Sequence, residues 1–190
     1  MNLVRTITSA AVLLISLGFF AASSYAHDLV WPGEKLKTLF PQAVSFEQKN
    51  LYVSDEQKVS IEKALGSKLP EEDMKPSIYF AVIKTNAESP PRKAAAILFV
   101  DAVGDNGKIE IGLVVSGKGE LMKIQIFENN ESLKITRQDF LKQFEGKKAT
   151  DQLKVGSDIT APVGTDKSAQ AIAAAARRGL LIINEMFRKK

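Results

Sequence analysis

Apolar residues recur every three or four positions from Ala169 through Ile172, Ala173, Ala176, Leu180 and Ile183 to Phe187, which is the period of an α-helix. A loop over 157–165, carrying Pro162 and Gly164, runs straight into that segment and delivers the helix N-terminus. Thr165 and Asp166 are both acceptable N-caps, because their side-chain oxygens can accept hydrogen bonds from the unpaired amides of the first turn. Arg188, Lys189 and Lys190 place positive charge at the other end, where it suits the helix dipole. Upstream the period changes to two, and four strands are expected at 77–84, 94–103, 109–116 and 120–128. Asp105-Asn106-Gly107 and Gly117-Lys118-Gly119 are turn signals between the last three, which predicts an antiparallel meander. Alternation in the last strand sets Leu121, Lys123, Gln125 and Phe127 against Met122, Ile124, Ile126 and Glu128, the face with Lys123 and Gln125 being the wetter.

Shorter helices are expected at 34–40, 55–65 and 136–144, with Pro41 as a break and an extended piece over 44–53. Ser54 and Gln57 form a capping box for the second of them, and Gly66 can end it. The third carries Phe140, Leu141 and Phe144 and stops at Gly146. Pro90-Pro91 marks a connector. Helices flanking an antiparallel sheet predict an α+β fold, a meander packed with helices in a single domain. Ala94, Ala95 and Ala96 reduce bulk at one strand start, which suits either close helix packing or a flat ligand ring.

The first 26 residues read differently. Arg5 supplies a positive n-region, 10–22 is apolar and uncharged, and Ser24-Tyr25-Ala26 is a small-x-small cleavage site, so 1–26 is expected to be a secretory signal peptide and 27–190 the folded domain. Cleavage after Ala26 leaves 164 residues with a net charge of +3, since Arg5 is the only charged residue removed from a chain of net charge +4. The basic excess is spread through the chain and does not argue for nucleic acid.

With no cysteine, disulfides, thiolate nucleophiles, c-type haem attachment, cysteine-ligated iron–sulfur clusters and a lipoprotein anchor are all removed together. The single histidine, His27, leaves a Ser–His–Asp triad or a conventional zinc site without its parts. Neither a dinucleotide fingerprint nor a Walker loop is present. No catalytic constellation and no metal site is therefore assigned. The helix N-terminus after Gly164 is the candidate site: free amides there can bind a phosphate, and Gly164 and Ser168 would let one approach. A capped terminal helix packed on a sheet is the competing reading.

Four segments, ILFVDAVG at 97–104, IQIFE at 124–128, FLKQFEGK at 140–147 and LKVGSDITAPVGTDKSAQAI at 153–172, resemble in order and spacing the FMN-binding domain of periplasmic or membrane-attached electron-transfer proteins. That family carries FMN on a loop–helix reading roughly Asp-x-x-Ser/Thr-Gly-Ala-Thr-x-Ser/Thr, the threonine often being esterified to the FMN phosphate. Laid on this chain, Gly164 and Ser168 match, while Thr160, Val163, Thr165 and Asp166 depart. Asn106 stands for a frequent histidine, Phe127 for a tyrosine and Asn129 for a glutamate. The resemblance implies a periplasmic FMN carrier with Gly164, Thr165, Asp166, Lys167 and Ser168 at the cofactor and a periplasmic or membrane-bound redox partner. Asp166 at the acceptor position implies that the FMN is non-covalent, because a carboxylate cannot form the phosphothreonine-type ester. The alternative is a flavin-free binding or structural module that keeps the scaffold.

Overall fold

A computed structural model describes residues 31–188; the expected signal peptide and His27 lie outside them. The chain folds as one α+β domain built on a five-stranded antiparallel sheet. Its strands are β1 (Ser45–Asn50), β2 (Ser77–Ile83), β3 (Arg92–Val103), β4 (Lys108–Ser116) and β5 (Leu121–Ile126), and they lie side by side in sequence order. The meander expected for three strands therefore extends to five. Ser45–Asn50, sequence SFEQKN, is largely exposed and pairs at the edge with β2, from Ser45 opposite Val82 to Asn50 opposite Ser77.

The helices are α1 (Gly33–Leu39), α2 (Asp55–Leu65), α3 (Gln138–Leu141) and α4 (Asp166–Phe187). Both halves of the capping box at α2 form: Ser54 Oγ accepts from Gln57 N at 3.3 Å, and Gln57 Oε1 accepts from Ser54 N at 3.0 Å. The 136–144 segment is not one helix. It divides into the single turn α3 between 3₁₀ turns at Leu133–Thr136 and Lys142–Phe144, yet still buries Phe140, Leu141 and Phe144.

Two cores lie on opposite faces of the sheet. Ala169, Ile172, Ala173, Ala176, Leu180 and Ile183 of α4 share the larger one with Leu98 and Val100 of β3 and Ile111 and Leu113 of β4, each large side chain contributing about 1.5–3 kcal/mol by leaving water. The smaller one gathers Leu36, Leu39 and Phe40 over Tyr79, Ala81, Ala95, Ile97 and Val114. Successive residues of β3 thus serve opposite cores, as the pleat requires. Ala95 is part of the packing beneath α1.

The expected faces of β5 need correction. Val114 pairs with Lys123 but Val115 pairs with Leu121, so Met122 is an extra residue in the ladder. Such a bulge breaks strict alternation. Leu121 therefore joins Ile124 and Ile126 in the larger core, and Met122 is exposed.

Candidate functional site

The 153–165 segment is tied down before it reaches α4. Asp158 Oδ2 accepts from Lys154 N at 3.0 Å, and the Gln143 amide clamps Thr160 from both sides, accepting from its N–H at 2.7 Å and donating to its carbonyl at 3.1 Å. Gly164 then turns the chain with φ +78°, a conformation that costs a residue with a Cβ about 1–2 kcal/mol. The Pro162 carbonyl accepts from Thr165 N at 3.0 Å and from Thr165 Oγ1 at 2.8 Å.

Thr165 occupies the N-cap position, but its side chain does not cap the helix. The expectation that Thr165 or Asp166 satisfies the first-turn amides through a side-chain oxygen is corrected for Thr165: its hydroxyl donates inward to Pro162 and is buried. Intrahelical bonding begins with Ala169 N to Thr165 O at 2.8 Å. The amides of Asp166, Lys167 and Ser168 precede it, as at any helix start.

Of the five site residues expected from sequence, Thr165 and Ser168 face inward, while Gly164, Asp166 and Lys167 are exposed. Two residues that sequence reasoning missed meet Ser168. Its hydroxyl lies 2.7 Å from Glu131 Oε2 and 3.2 Å from Asp105 Oδ2. Glu131 Oε1 also accepts from Asn106 N at 2.6 Å, and Asn106 Nδ2 lies 3.4 Å from Oε2. A Cβ on Gly104 would come within 2.5 Å of Glu131 Oε1, so the bare glycine provides the space in which the carboxylate sits. Lys167 Nζ reaches Asp105 Oδ1 at 3.5 Å. The β3–β4 turn, the loop after β5 and the first turn of α4 thus converge on one carboxylate.

Desolvation pushes the Glu131 carboxyl up, but hydrogen bonds from Ser168 and from the Asn106 and Asp105 backbone outweigh it and hold the group below the usual glutamate value. A depressed carboxylate stabilises the fold above the unfolded-state value of about 4.3, and that contribution is lost as pH falls through the lower folded value. Glu131→Gln is therefore expected to melt below the wild type at pH 7, with the difference closing as both are taken below pH ~4. A gap that stays constant through that range would show that the Glu131 charge is not held by these donors.

The turn can be tested against an FMN phosphate. Asp105, Glu131 and Asp166 place three carboxylates here against the Lys167 ammonium, which is already drawn to Asp105. Like charges about 4 Å apart repel by roughly 1 kcal/mol in water and about 4 kcal/mol near a protein surface. Two of the donors that could bind a phosphate, Ser168 Oγ and Asn106 N, are engaged by Glu131. Lys134 Nζ donates to the Val163 carbonyl at 2.9 Å, on the rim of an adjoining shallow groove of 420 Å³. These residues do not fit an FMN phosphate at the start of α4. Among the described residues no group of three ligating side chains is placed to hold a metal ion, and no helix is long and apolar enough to cross a membrane.

No protein-family model and no curated protein matches the chain. Among solved structures, NqrC of Shewanella oneidensis is similar, with a TM-score of 0.50 and 12% sequence identity over 82% of this chain and 90% of that one. At that identity the likeness carries the fold.

Proposed function

We propose that this chain is a secreted, periplasmic binding module that keeps the scaffold of the FMN-binding domain and works without FMN at the start of α4. The observation that carries the reading is the Glu131 carboxylate, bonded to Ser168 and to the Asn106 backbone where the resemblance places the cofactor. Asp166 adds a second charge of the same sign at the position of the ester-forming threonine. The motif resemblance and the fold-level likeness to NqrC support the scaffold half of the reading; the carboxylates support the loss of the cofactor.

An electron carrier with non-covalent FMN and a periplasmic or membrane-bound redox partner is the second reading. It is favoured by the first-turn amides of α4, which have no intrahelical acceptor and suit an anion. If it held, FMN would supply the redox chemistry, and Gly164, Thr165, Lys167 and Ser168 would surround its phosphate. An absorbance spectrum separates the two. Protein purified from a periplasm supplied with flavin and flavin transferase is expected to show no flavin band. A band released into the supernatant by acid precipitation would establish the non-covalent carrier, and one retained in the pellet would establish covalent attachment.

A further inference from the structure

We infer that a second groove, between α2 and α4, binds a small phosphate monoester with an apolar body. The groove encloses 410 Å³, and its wall on α4 runs from Gln170 to Arg178, beyond the turn that holds Ser168. Leu153, Ala173 and Ala174 give it an apolar surface. Its charged lining residues are Lys68, Lys154, Arg177 and Arg178, and no carboxylate lines it. One-signed lining of this kind concentrates an ion of the opposite sign.

Two of these cations are accounted for by structure. Arg178 Nε forms an ion pair with Asp73 Oδ2 at 2.5 Å, and its Nη2 donates to the Asp101 carbonyl at 2.6 Å. Lys68 Nζ pairs with Glu62 at 3.1 Å. Arg177 and Lys154 are different. The Arg177 Nη2 donates to the Ala64 carbonyl at 2.7 Å, which fixes the guanidinium, while among the described residues its buried Nε–H has no acceptor and no carboxylate neutralises the group. Lys154 is exposed at the groove rim and forms no ion pair among the described residues. The anchored guanidinium thus lends the groove its charge, while the buried Nε–H is closed off from solvent.

Two uncompensated cations match a dianion, and a phosphate monoester carries close to two negative charges at neutral pH. A planar guanidinium also suits a phosphate in geometry. The volume is far larger than a bare phosphate, and the alanines and Leu153 provide for an apolar remainder. This site is separate from the start of α4, so its occupancy and the flavin content of the protein are independent measurements.

The test titrates the mature protein with phenyl phosphate and follows backbone amide NMR shifts. Saturable shifts confined to 65–70, 152–155 and 170–178 are expected. Lys154→Glu and Gln170→Glu alter exposed side chains at the groove, and each is expected to weaken binding about tenfold or more without changing the melting temperature. Arg177→Gln is expected to weaken it as well but also removes the donor to Ala64, so the two exposed variants carry the test. No saturable shift, or an affinity unchanged in both, would overturn the site. Equal affinity for inorganic phosphate would overturn the apolar body. Pelleting with phosphatidic acid vesicles without any response to phenyl phosphate would overturn the assignment to a soluble ester.

Discussion

Lys35→Met is expected to destabilise the fold by about 2–3 kcal/mol, somewhat less than the 3–5 kcal/mol for breaking a fully buried pair because Lys35 is partly exposed. Lys35 Nζ sits 2.5 Å from Glu110 Oε2 and 2.9 Å from Glu128 Oε1, and the Glu110 side chain is only 5% exposed. Removing the ammonium leaves Glu110 charged and desolvated on β4, with Glu128 as a like-charged neighbour. The loss follows from the stranded carboxylate and not from the lysine's own net contribution. Lys35→Met combined with Glu110→Gln should therefore recover most of it in a urea unfolding series. Burial lowers the Lys35 pKa, but hydrogen bonds and attraction from both glutamates raise it overall. Its contribution is thus fully present below the ordinary lysine value and lost only as pH rises through the raised one. A double variant no more stable than Lys35→Met would show that the cost comes from lost packing of the lysine stem.

Gly179→Val is expected to cost about 2–3 kcal/mol by overpacking the seat of α4 on the sheet. A Cβ at Gly179 would overlap Leu113 Cδ1 and meet Val100 Cγ1 at 3.4 Å, and Leu113 is fully buried. Ala174→Val on the exposed side of the same helix provides the control, since it changes helix propensity by only about half a kcal/mol. Leu113→Ala should suppress part of the Gly179→Val loss in a double-mutant cycle, because it removes the group that is struck. Equal unfolding midpoints for Gly179→Val and Ala174→Val would contradict this close approach.

Gly179 illustrates what the sequence could not reveal. Within an otherwise apolar and alanine-rich helix it reads as a small local weakness; its use depends on β4 and β3 lying beneath it. The same holds for Glu131, an isolated acid in the loop after β5, 37 residues from Ser168. Only the convergence of three loops brings them together. By contrast, the capping box at Ser54 and Gln57, the antiparallel meander and the helix that follows Gly164 are legible from local sequence chemistry. Edge strand β1 was legible only as extended chain, because its exposed SFEQKN run takes its register from β2. The bulge at Met122 left no periodic trace and reversed the expected side of Leu121. At 136–144 the apolar spacing of Phe140, Leu141 and Phe144 indicates one helix, and the fold buries all three side chains from a chain divided into short turns.

The central claim is that the start of α4 is closed to a flavin phosphate by the chain's own carboxylates. Fluorescence titration of the purified mature protein with FMN at neutral pH tests it most directly. In the Lys154→Glu variant, where the groove between α2 and α4 does not contribute, the expected result is no saturable quenching up to about 1 mM FMN, which corresponds to less than about 4 kcal/mol of binding free energy. Saturable one-to-one binding at micromolar FMN, abolished by Gly164→Val and unaffected by Lys154→Glu, would contradict it and restore the flavin to the start of α4.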